Sequence, residues 1–355
     1  MRIPSARGPF TAPLVDILGE RPHEAAALSE AADAAVGRAT ARDGVLSDDD
    51  VQLGLTLLYE LSYRGLAGVD DAWEWSPSLI AARGVLESAV ERELLQRFGQ
   101  VRDRTVEPGD VPAELFAMTS SGGGPSVAGF VAREATVGQV REMCVLRSAY
   151  QLKEADPHTW SIPRLHGAAK SALVEIQFDE YGEGRPGRMH SELFAATMRA
   201  VGLDDAYGAY VDLVPARTLA TVNAMHLFGL HRRWRGANLG HLAAYEMTSS
   251  LPCKRYAAGM ERLGLPPKAA EFFTEHVEAD AVHEQLAAHD LCGSLVAAEP
   301  ALARDVLFGA AVCLGLDELA GAATLAAWQA GRSALRRPVR IAATAATAGT
   351  TTTAA

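Results

Sequence analysis

The sequence feature that most constrains the fold is the recurrence of apolar residues at helical spacing along almost the whole chain. No segment shows the alternation of apolar and polar residues, bounded by turn signals, that predicts a β-strand. We therefore predict an all-α protein built as a helical bundle. The predicted helices cover about 14–37, 48–65, 78–98, 136–154, 167–181, 189–201, 215–229, 232–250, 254–263, 267–290 and 300–331.

A glycine-rich segment divides the predicted helices into two groups. Residues 119–126 read Thr-Ser-Ser-Gly-Gly-Gly-Pro-Ser, a composition typical of linkers. We predict an N-terminal helical region at 1–118, this linker at 119–126 and a main domain at 127–335. The tail at 336–355 is rich in alanine and threonine, and we predict that it is disordered.

Composition and charge exclude several classes of function. A net charge of −11 argues against a nucleic-acid partner, which would need a basic face. The four cysteines are scattered, which excludes a cysteine-ligated zinc or iron–sulfur site and is typical of a reducing cytosol. The N-terminus lacks the apolar core of a secretory signal, and no stretch of about 18 residues is uninterruptedly apolar. We therefore predict a cytoplasmic protein that does not span a membrane.

Three ionisable residues near the C-terminal end share one face of a predicted helix. His276, Asp280 and His283 lie at roughly 0°, 40° and −20° around the helix axis, at about 100° per residue. Burying such side chains without partners is costly, and a metal ion would be a partner for all three at once. The motif alone does not separate a metal site from a solvated polar face.

Four further residues carry oxygen or imidazole ligands on other predicted helices. They are Glu154, Glu180, His190 and Glu246. A single glutamate in a helix is usually solvated, but a bundle could direct all four toward one core. A set of carboxylates and histidines without thiolates suits iron or manganese, and seven ligands suit two ions rather than one.

The segment Gly182-x-Gly184-x-x-Gly187 matches the dinucleotide-binding fingerprint by letter. That fingerprint has meaning only between a strand and a helix, and this segment lies between two predicted helices. We interpret it as a tight turn that brings Glu180 and His190 to the same place.

The combined pattern resembles the metal-ligand set of the haem-oxygenase-like diiron oxidases and oxygenases. The resemblance covers about 135–290 and rests on Glu180-x9-His190, a later helical glutamate and the terminal His-x3-Asp-x2-His helix. Glu154 resembles the additional carboxylate of the N-oxygenating members. The ligand set that the resemblance implies is Glu154, Glu180, His190, Glu246, His276, Asp280 and His283.

The resemblance implies a seven-helix haem-oxygenase-like fold that binds two non-haem irons, uses O₂ as co-substrate and takes electrons from an external donor. Members of the family oxygenate amines and guanidines, desaturate or cleave amino acids, or decarboxylate fatty acids. We favour N-oxygenation of a small amino-acid-like or amine substrate, with desaturation or C–C cleavage as the alternative. The N-terminal helices, similar to those of the N-oxygenating members, imply a homodimer.

Two other classes of protein fit the sequence less well. A haem-binding protein of the same fold would need one axial histidine in an apolar pocket, and the extra acids disfavour it, so we expect no haem. A metal-free helical interaction module would leave the acidic faces solvated, which the ordered set of seven ligands does not suggest.

Substrate contacts are less defined by the sequence than the metal ligands. The candidates lie beside the glycine turn or at the start of the helix that carries Glu246, where an arginine fork could bind a substrate carboxylate. A surface cluster of ion-paired arginines explains the same residues equally well. His241 lies about 140° from Glu246 around that helix, so we interpret it as structural. The substrate candidates are Tyr181, Arg185, Arg188 and Arg233.

Overall fold

A computed structural model of the protein describes residues 1–120 and 126–339, apart from the side chains of 278–282. All regular secondary structure within these residues is helical, which confirms the predicted all-α class. The α-helices are α1 Thr11–Leu18, α2 Ala27–Thr40, α3 Asp49–Glu60, α4 Pro77–Phe98, α5 Val111–Thr119, α6 Val127–Arg133, α7 Val137–Gln151, α8 Asp156–Thr159, α9 Gly167–Glu180, α10 His190–Ala200, α11 Ala216–Leu230, α12 Arg235–Arg262, α13 Pro267–Gln285, α14 Ser294–Ala298 and α15 Ala303–Gln329.

Shorter or wider helical turns connect several of these helices. A π-helix at Leu286–Gly293 follows α13 directly and buries Ala287, Ala288, Leu291 and Cys292. The 3₁₀ turns are Val45–Ser47, Asp71–Trp75, Gly99–Asp103, Pro108–Asp110, Ile162–Arg164, Gly182–Gly184, Val211–Leu213, Arg232–Trp234 and Pro300–Leu302.

Local sequence signals place several helix ends. Thr136 begins α7 with a capping box, in which its hydroxyl accepts from the Gln139 amide and the Gln139 side chain accepts from the Thr136 amide. This is the cap that the sequence predicts. The side chain of Asp48 likewise accepts from the amides of Asp50 and Val51 at the start of α3.

Three predicted helix boundaries are wrong. The helix predicted at 136–154 ends at Gln151, so Glu154 does not lie on it, because the backbone turns out of the helix before Ala155, whose φ is +73°. The predicted helix at 14–37 is two helices, because Pro22 lies between them and disfavours helical backbone at the residue before it. The predicted helices at 232–250 and 254–263 are the single helix α12, which continues through Pro252. Proline removes one backbone hydrogen bond there, but the packing of α12 against α13 and α15 maintains the helix.

Helix α12 is the centre of the main domain and crosses α15 at very short range. A Cβ atom added at Gly240 would lie 1.8 Å from the carbonyl oxygen of Val306, and one added at Gly309 would lie 1.9 Å from that of Ala237. Two glycines on facing helices therefore let the backbones touch. This contact fixes the position of α12, the helix that carries Glu246, against α15.

The N-terminal helices share their hydrophobic core with the main domain. The apolar residues of α1–α4 form one buried cluster with Phe228 of α11 and Phe308 of α15. The predicted boundary at 119–126 stays a prediction, since residues 121–125 lie outside the described residues. Most of the tail predicted to be disordered, 340–355, also lies outside them.

One helix of the described residues is long and apolar enough to cross a membrane by length and composition alone. It is Pro300–Gln329, with a mean hydropathy of 1.6 in its most apolar stretch. The sequence prediction missed it because it required an uninterrupted apolar run. In this structure the helix packs along α12, as the core helix of a bundle does.

Candidate metal centre

Six of the seven residues predicted as metal ligands lie together in one buried cluster. One atom from each of Glu154, Glu180, His190 and His276 lies within 4.8 Å of the others, and the same holds for Glu180, Glu246 and His283. Glu180 belongs to both groups. The side chain of Asp280 lies outside the described residues.

The glycine turn after α9 brings two of these residues together, as the sequence predicts. Glu180 is the last residue of α9 and His190 the first of α10. Gly182 has a φ of +67°, and a Cβ atom there would lie 2.5 Å from the backbone of Arg188, so only glycine fits the turn. His190 Nδ1 and Glu180 Oε2 are consequently 3.0 Å apart.

Glu154 differs from the other described residues of the cluster because it lies outside a regular helix. Helix α7 ends at Gln151, three residues before it, and Ala155 follows it with a φ of +73°. Gln151 Nε2 donates to Glu154 Oε1 at 3.3 Å and to the hydroxyl oxygen of Tyr245 at 2.8 Å. Gln151 therefore fixes one carboxylate oxygen of Glu154 and leaves the other available.

The ring of His276 is oriented as a metal ligand would be. Its Nδ1 lies 2.8 Å from the carbonyl oxygen of Phe272, which can only accept, so Nδ1 carries the proton. Nε2 points into the cluster, 3.6 Å from Glu154 Oε1, where a metal ion could take the place of a proton on it. Histidine ligands commonly donate their second N–H in this way.

Both ring nitrogens of His283 face carboxylates. Nδ1 lies 3.2 Å from Glu246 Oε2, and Nε2 lies 2.9 Å from Asp179 Oδ2. Burial lowers the pKa of His283, but the two carboxylates outweigh it and raise this pKa to about 10. Sequence reasoning missed Asp179, and its only signal was its position next to Glu180.

Unpartnered polar atoms indicate that the cluster fits a cation. Among the described residues, Glu154 Oε2, Glu180 Oε2 and His190 Nδ1 are buried and have no hydrogen-bond partner. His190 Nδ1 and Glu180 Oε2 are close enough for a hydrogen bond but are not directed for one. Leaving such atoms unpaired is costly, and a bound metal ion would satisfy all three.

Two carboxyl groups of the cluster, those of Glu154 and Glu180, have pKa values shifted in opposite directions. Burial raises the pKa of Glu180, but the positive charges of the surrounding histidines outweigh it and hold this pKa at about 2. Burial also raises the pKa of Glu154, and His276 offsets that effect only in part. The shared residue Glu180 is therefore more firmly ionised than Glu154, as a ligand to two cations would be.

A small cavity of about 10 Å³ lies among the ligands, enough for roughly one water molecule. His158 and Gln177 line it, and His158 Nδ1 and Gln177 Nε2 are buried atoms without partners among the described residues. No spacing signal in the sequence identifies either residue as part of a site. His241 lies behind His158, with 3.3 Å between their ring nitrogens, and its structural role stays a prediction.

The substrate candidates are not brought together. Tyr181 lies beside the cluster, but its hydroxyl donates to Asp156 at 2.8 Å and lies 2.9 Å from that of Thr159. The three arginines form separate ion pairs near the surface, which matches the alternative interpretation, and a substrate role for them stays a prediction. The pairs are Arg185 with Glu183 at 2.6 Å, Arg188 with Glu275 at 2.7 Å, and Arg233 with Glu91.

Comparison with known proteins agrees with this geometry. The family model described as iron-containing redox enzyme matches residues 141–318, which include every residue of the cluster. The nitrosourea synthase of Streptomyces achromogenes subsp. streptozoticus is 26% identical over 269 residues. That alignment covers 70% of this chain and 55% of the relative, so the chain spans about half of the relative's length. With half of its length matched by the family model, the chain belongs to the family of iron-containing redox enzymes.

Proposed function

We propose that this protein is a non-haem diiron enzyme that uses O₂ to oxidise a nitrogen of a small amine or amino-acid-like substrate. The observation that carries the proposal is the pair of ligand groups that share Glu180. A shared carboxylate can bridge two divalent ions and keep them close together.

The two groups suggest how the ligands would be divided. Glu154, His190 and His276 would hold one iron, and Glu246 and His283 the other, with Glu180 between them. Asp280 stays the seventh proposed ligand, and its side chain lies outside the described residues. The bound irons would supply the activation of O₂ and the redox chemistry of the reaction. Neither group contains a thiolate, which suits iron rather than a structural zinc site.

The protein residues would supply orientation and a dry site. Gln151 positions Glu154, and the Phe272 carbonyl sets the proton of His276 so that Nε2 faces inward. The side chains of Glu154, Glu180 and His190 are at most 6% exposed, so bulk water is excluded from the reacting centre.

Two observations favour oxidation of nitrogen over desaturation or C–C cleavage. Glu154, the additional carboxylate implied by the resemblance to N-oxygenating enzymes, lies within the first ligand group. The similar Streptomyces protein is named for the synthesis of a nitrosourea, a compound with an oxidised nitrogen. The alternative is oxidative desaturation or C–C cleavage of an amino or fatty acid.

Anaerobic titration with Fe(II) tests the metal centre. We expect two irons per chain in the wild type, loss of iron and O₂ consumption in His276→Ala, and no change in His289→Ala, whose exposed histidine follows on the same helical run. A His276→Ala protein with full iron content and activity would refute the proposed centre.

Mass spectrometry of products identifies the reaction. The panel would contain small amines, guanidines, amino acids and fatty acids, incubated with the iron-loaded enzyme, a reductant and isotopically labelled O₂. N-oxygenation adds labelled oxygen to nitrogen, desaturation removes two hydrogens, and cleavage shortens the carbon chain. Only the first result supports the favoured reaction.

The wider setting of the enzyme is also proposed. We expect a homodimer formed through the N-terminal helices, where Trp75 is 76% exposed and Ile80 is 37% exposed. Light scattering tests this, and a monomeric mass would contradict it. An external electron donor and a cytoplasmic location, without nucleic-acid or membrane partners, complete the proposal. Buried thiols without disulfides, at Cys144, Cys292 and Cys313, suit a reducing compartment.

A further inference from the structure

Asp179 is an acidic residue that contacts the cluster from outside. Its side chain is 42% exposed, whereas that of His283 is 2% exposed, and only 2.9 Å separates Asp179 Oδ2 from His283 Nε2. On the other side of the same ring, Nδ1 faces Glu246 Oε2 at 3.2 Å. The ring therefore lies between a solvent-side carboxylate and the carboxylate of a candidate ligand.

A histidine that binds a metal ion has lost one ring proton, so in the metal-bound protein His283 would have one N–H donor and one lone pair, and the two sides of its ring would differ. An N–H at Nε2 would donate to Asp179 and leave the Nδ1 lone pair directed at the second ligand group, which contains Glu180, Glu246 and His283. The opposite tautomer would direct a hydrogen at the space between the ligands and could not bind a cation there.

We infer that Asp179 is a positioning residue for the second iron, which sets the tautomer of His283 and fixes the orientation of its ring. This inference rests on the proposed diiron centre. Outer carboxylates of this kind also increase the basicity of a histidine ligand. Asp179 acts only through His283 and does not contact the substrate.

The position of Asp179, next to Glu180 in the chain, supports this role. Asp179 and Glu180 are the last two residues of α9, and their side chains point to different places: one to the outer edge of His283 and one into the cluster. One backbone segment thus positions both the shared ligand and the group that orients a histidine ligand. The backbone carbonyl of Phe272 has the equivalent role for His276.

The test compares three variants in anaerobic Fe(II) titrations followed by Mössbauer spectroscopy. Asp179→Ala removes the acceptor, Asp179→Asn keeps an acceptor oxygen without the charge, and Glu175→Ala removes an exposed acid one turn earlier on α9. We expect Asp179→Ala to weaken binding of the second iron by about 10- to 100-fold while the first iron is retained. We expect Asp179→Asn to be intermediate and Glu175→Ala to match the wild type.

The outcomes separate this inference from the proposed function. If the wild type binds two irons and Asp179→Ala binds both with unchanged affinity, the inference is wrong and the diiron centre stands. If the wild type itself binds fewer than two irons, the diiron proposal is wrong. Should circular dichroism show that Asp179→Ala has lost helix, Asp179→Leu decides, because leucine favours helix and removes the acceptor, so unchanged affinity for the second iron in that variant also overturns the inference.

Discussion

The buried ion pair between Glu60 and Lys153 gives the sharpest prediction for stability. Lys153 Nζ lies 3.3 Å from Glu60 Oε2, and the side chains are 3% and 1% exposed. The hydroxyl of Tyr207 donates to the same oxygen at 2.6 Å. Burial lowers the pKa of Lys153, and the Glu60 carboxylate offsets that effect only in part. The pair joins the end of α3 to the residue that precedes Glu154.

The expected magnitude follows from the charge that each single variant leaves behind. Glu60→Leu leaves a buried ammonium, which becomes neutral only by losing its proton, and at pH 7 that costs about 5 kcal/mol for a lysine. Lys153→Met leaves a buried carboxylate, whose protonation at pH 7 costs about 4 kcal/mol, less whatever the Tyr207 hydroxyl compensates. Each variant should therefore lower the free energy of unfolding by about 3–5 kcal/mol.

The double variant separates the cost of an unpaired buried charge from the cost of the other lost contacts. Glu60→Leu combined with Lys153→Met leaves no buried charge, so it should cost far less than the sum of the two single variants. The assay is urea unfolding of the metal-free protein at pH 7, followed by circular dichroism. Arg104 and Glu114, an exposed pair at 2.8 Å, form the control, with an expected coupling below about 1 kcal/mol. Single variants at Glu60 and Lys153 that each cost less than about 1 kcal/mol would refute the reasoning.

Three further predictions concern the scaffold. Gly240→Ala should destabilise the protein by at least about 3 kcal/mol, because the added Cβ would clash with the Val306 carbonyl. The control Gly84→Ala, with open space around it, should be neutral or stabilising, and thermal unfolding distinguishes the two variants. Thr136→Ala should cost about 1 kcal/mol through loss of the α7 cap, measured by urea unfolding. Burial holds the pKa of His226 in the folded protein well below its usual value. The unfolded chain therefore binds a proton at this histidine as the pH falls below about 6.5, while the folded protein does not, and the free energy of unfolding decreases. His226→Gln should flatten that loss by up to about 1.4 kcal/mol per pH unit between pH 6.5 and 5, and an unchanged slope would contradict this.

Local chemistry made much of the fold predictable. A capping box at Thr136 and a glycine turn at 182–187 act within a few residues, so the sequence shows them directly. Pro22 and Pro252 show the limit of such signals. The first ends a helical pattern, while the second lies inside α12, because tertiary packing rather than local preference decides whether a helix continues past a proline.

The candidate site was predictable to the extent that helical spacing or a known ligand pattern revealed it. His276 and His283 share a face by periodicity alone, and the structure buries both. Asp179 and His283 are 104 residues apart in the chain, and no spacing rule connects them. The unpartnered Gln177 is a similar case, since its place beside the cavity depends on how α9 packs.

The π-helix at Leu286–Gly293 keeps one face of the helical run from α13 to α14 buried. From His283 onward, buried residues recur every four positions, at Ala287, Leu291 and Leu295. In an α-helix each step of four residues turns about 40° too far, so three steps would rotate the last residue by about 120° out of the core. The wider turns of a π-helix cancel that drift. Deletion of one residue within 286–293 should therefore convert the segment to α-helix and leave the histidines in register. The helix beyond it, α14, would keep its buried face, because the eleven remaining α-helical steps from His283 to Leu295 turn the chain by about 1,100°, only about 20° beyond three full turns.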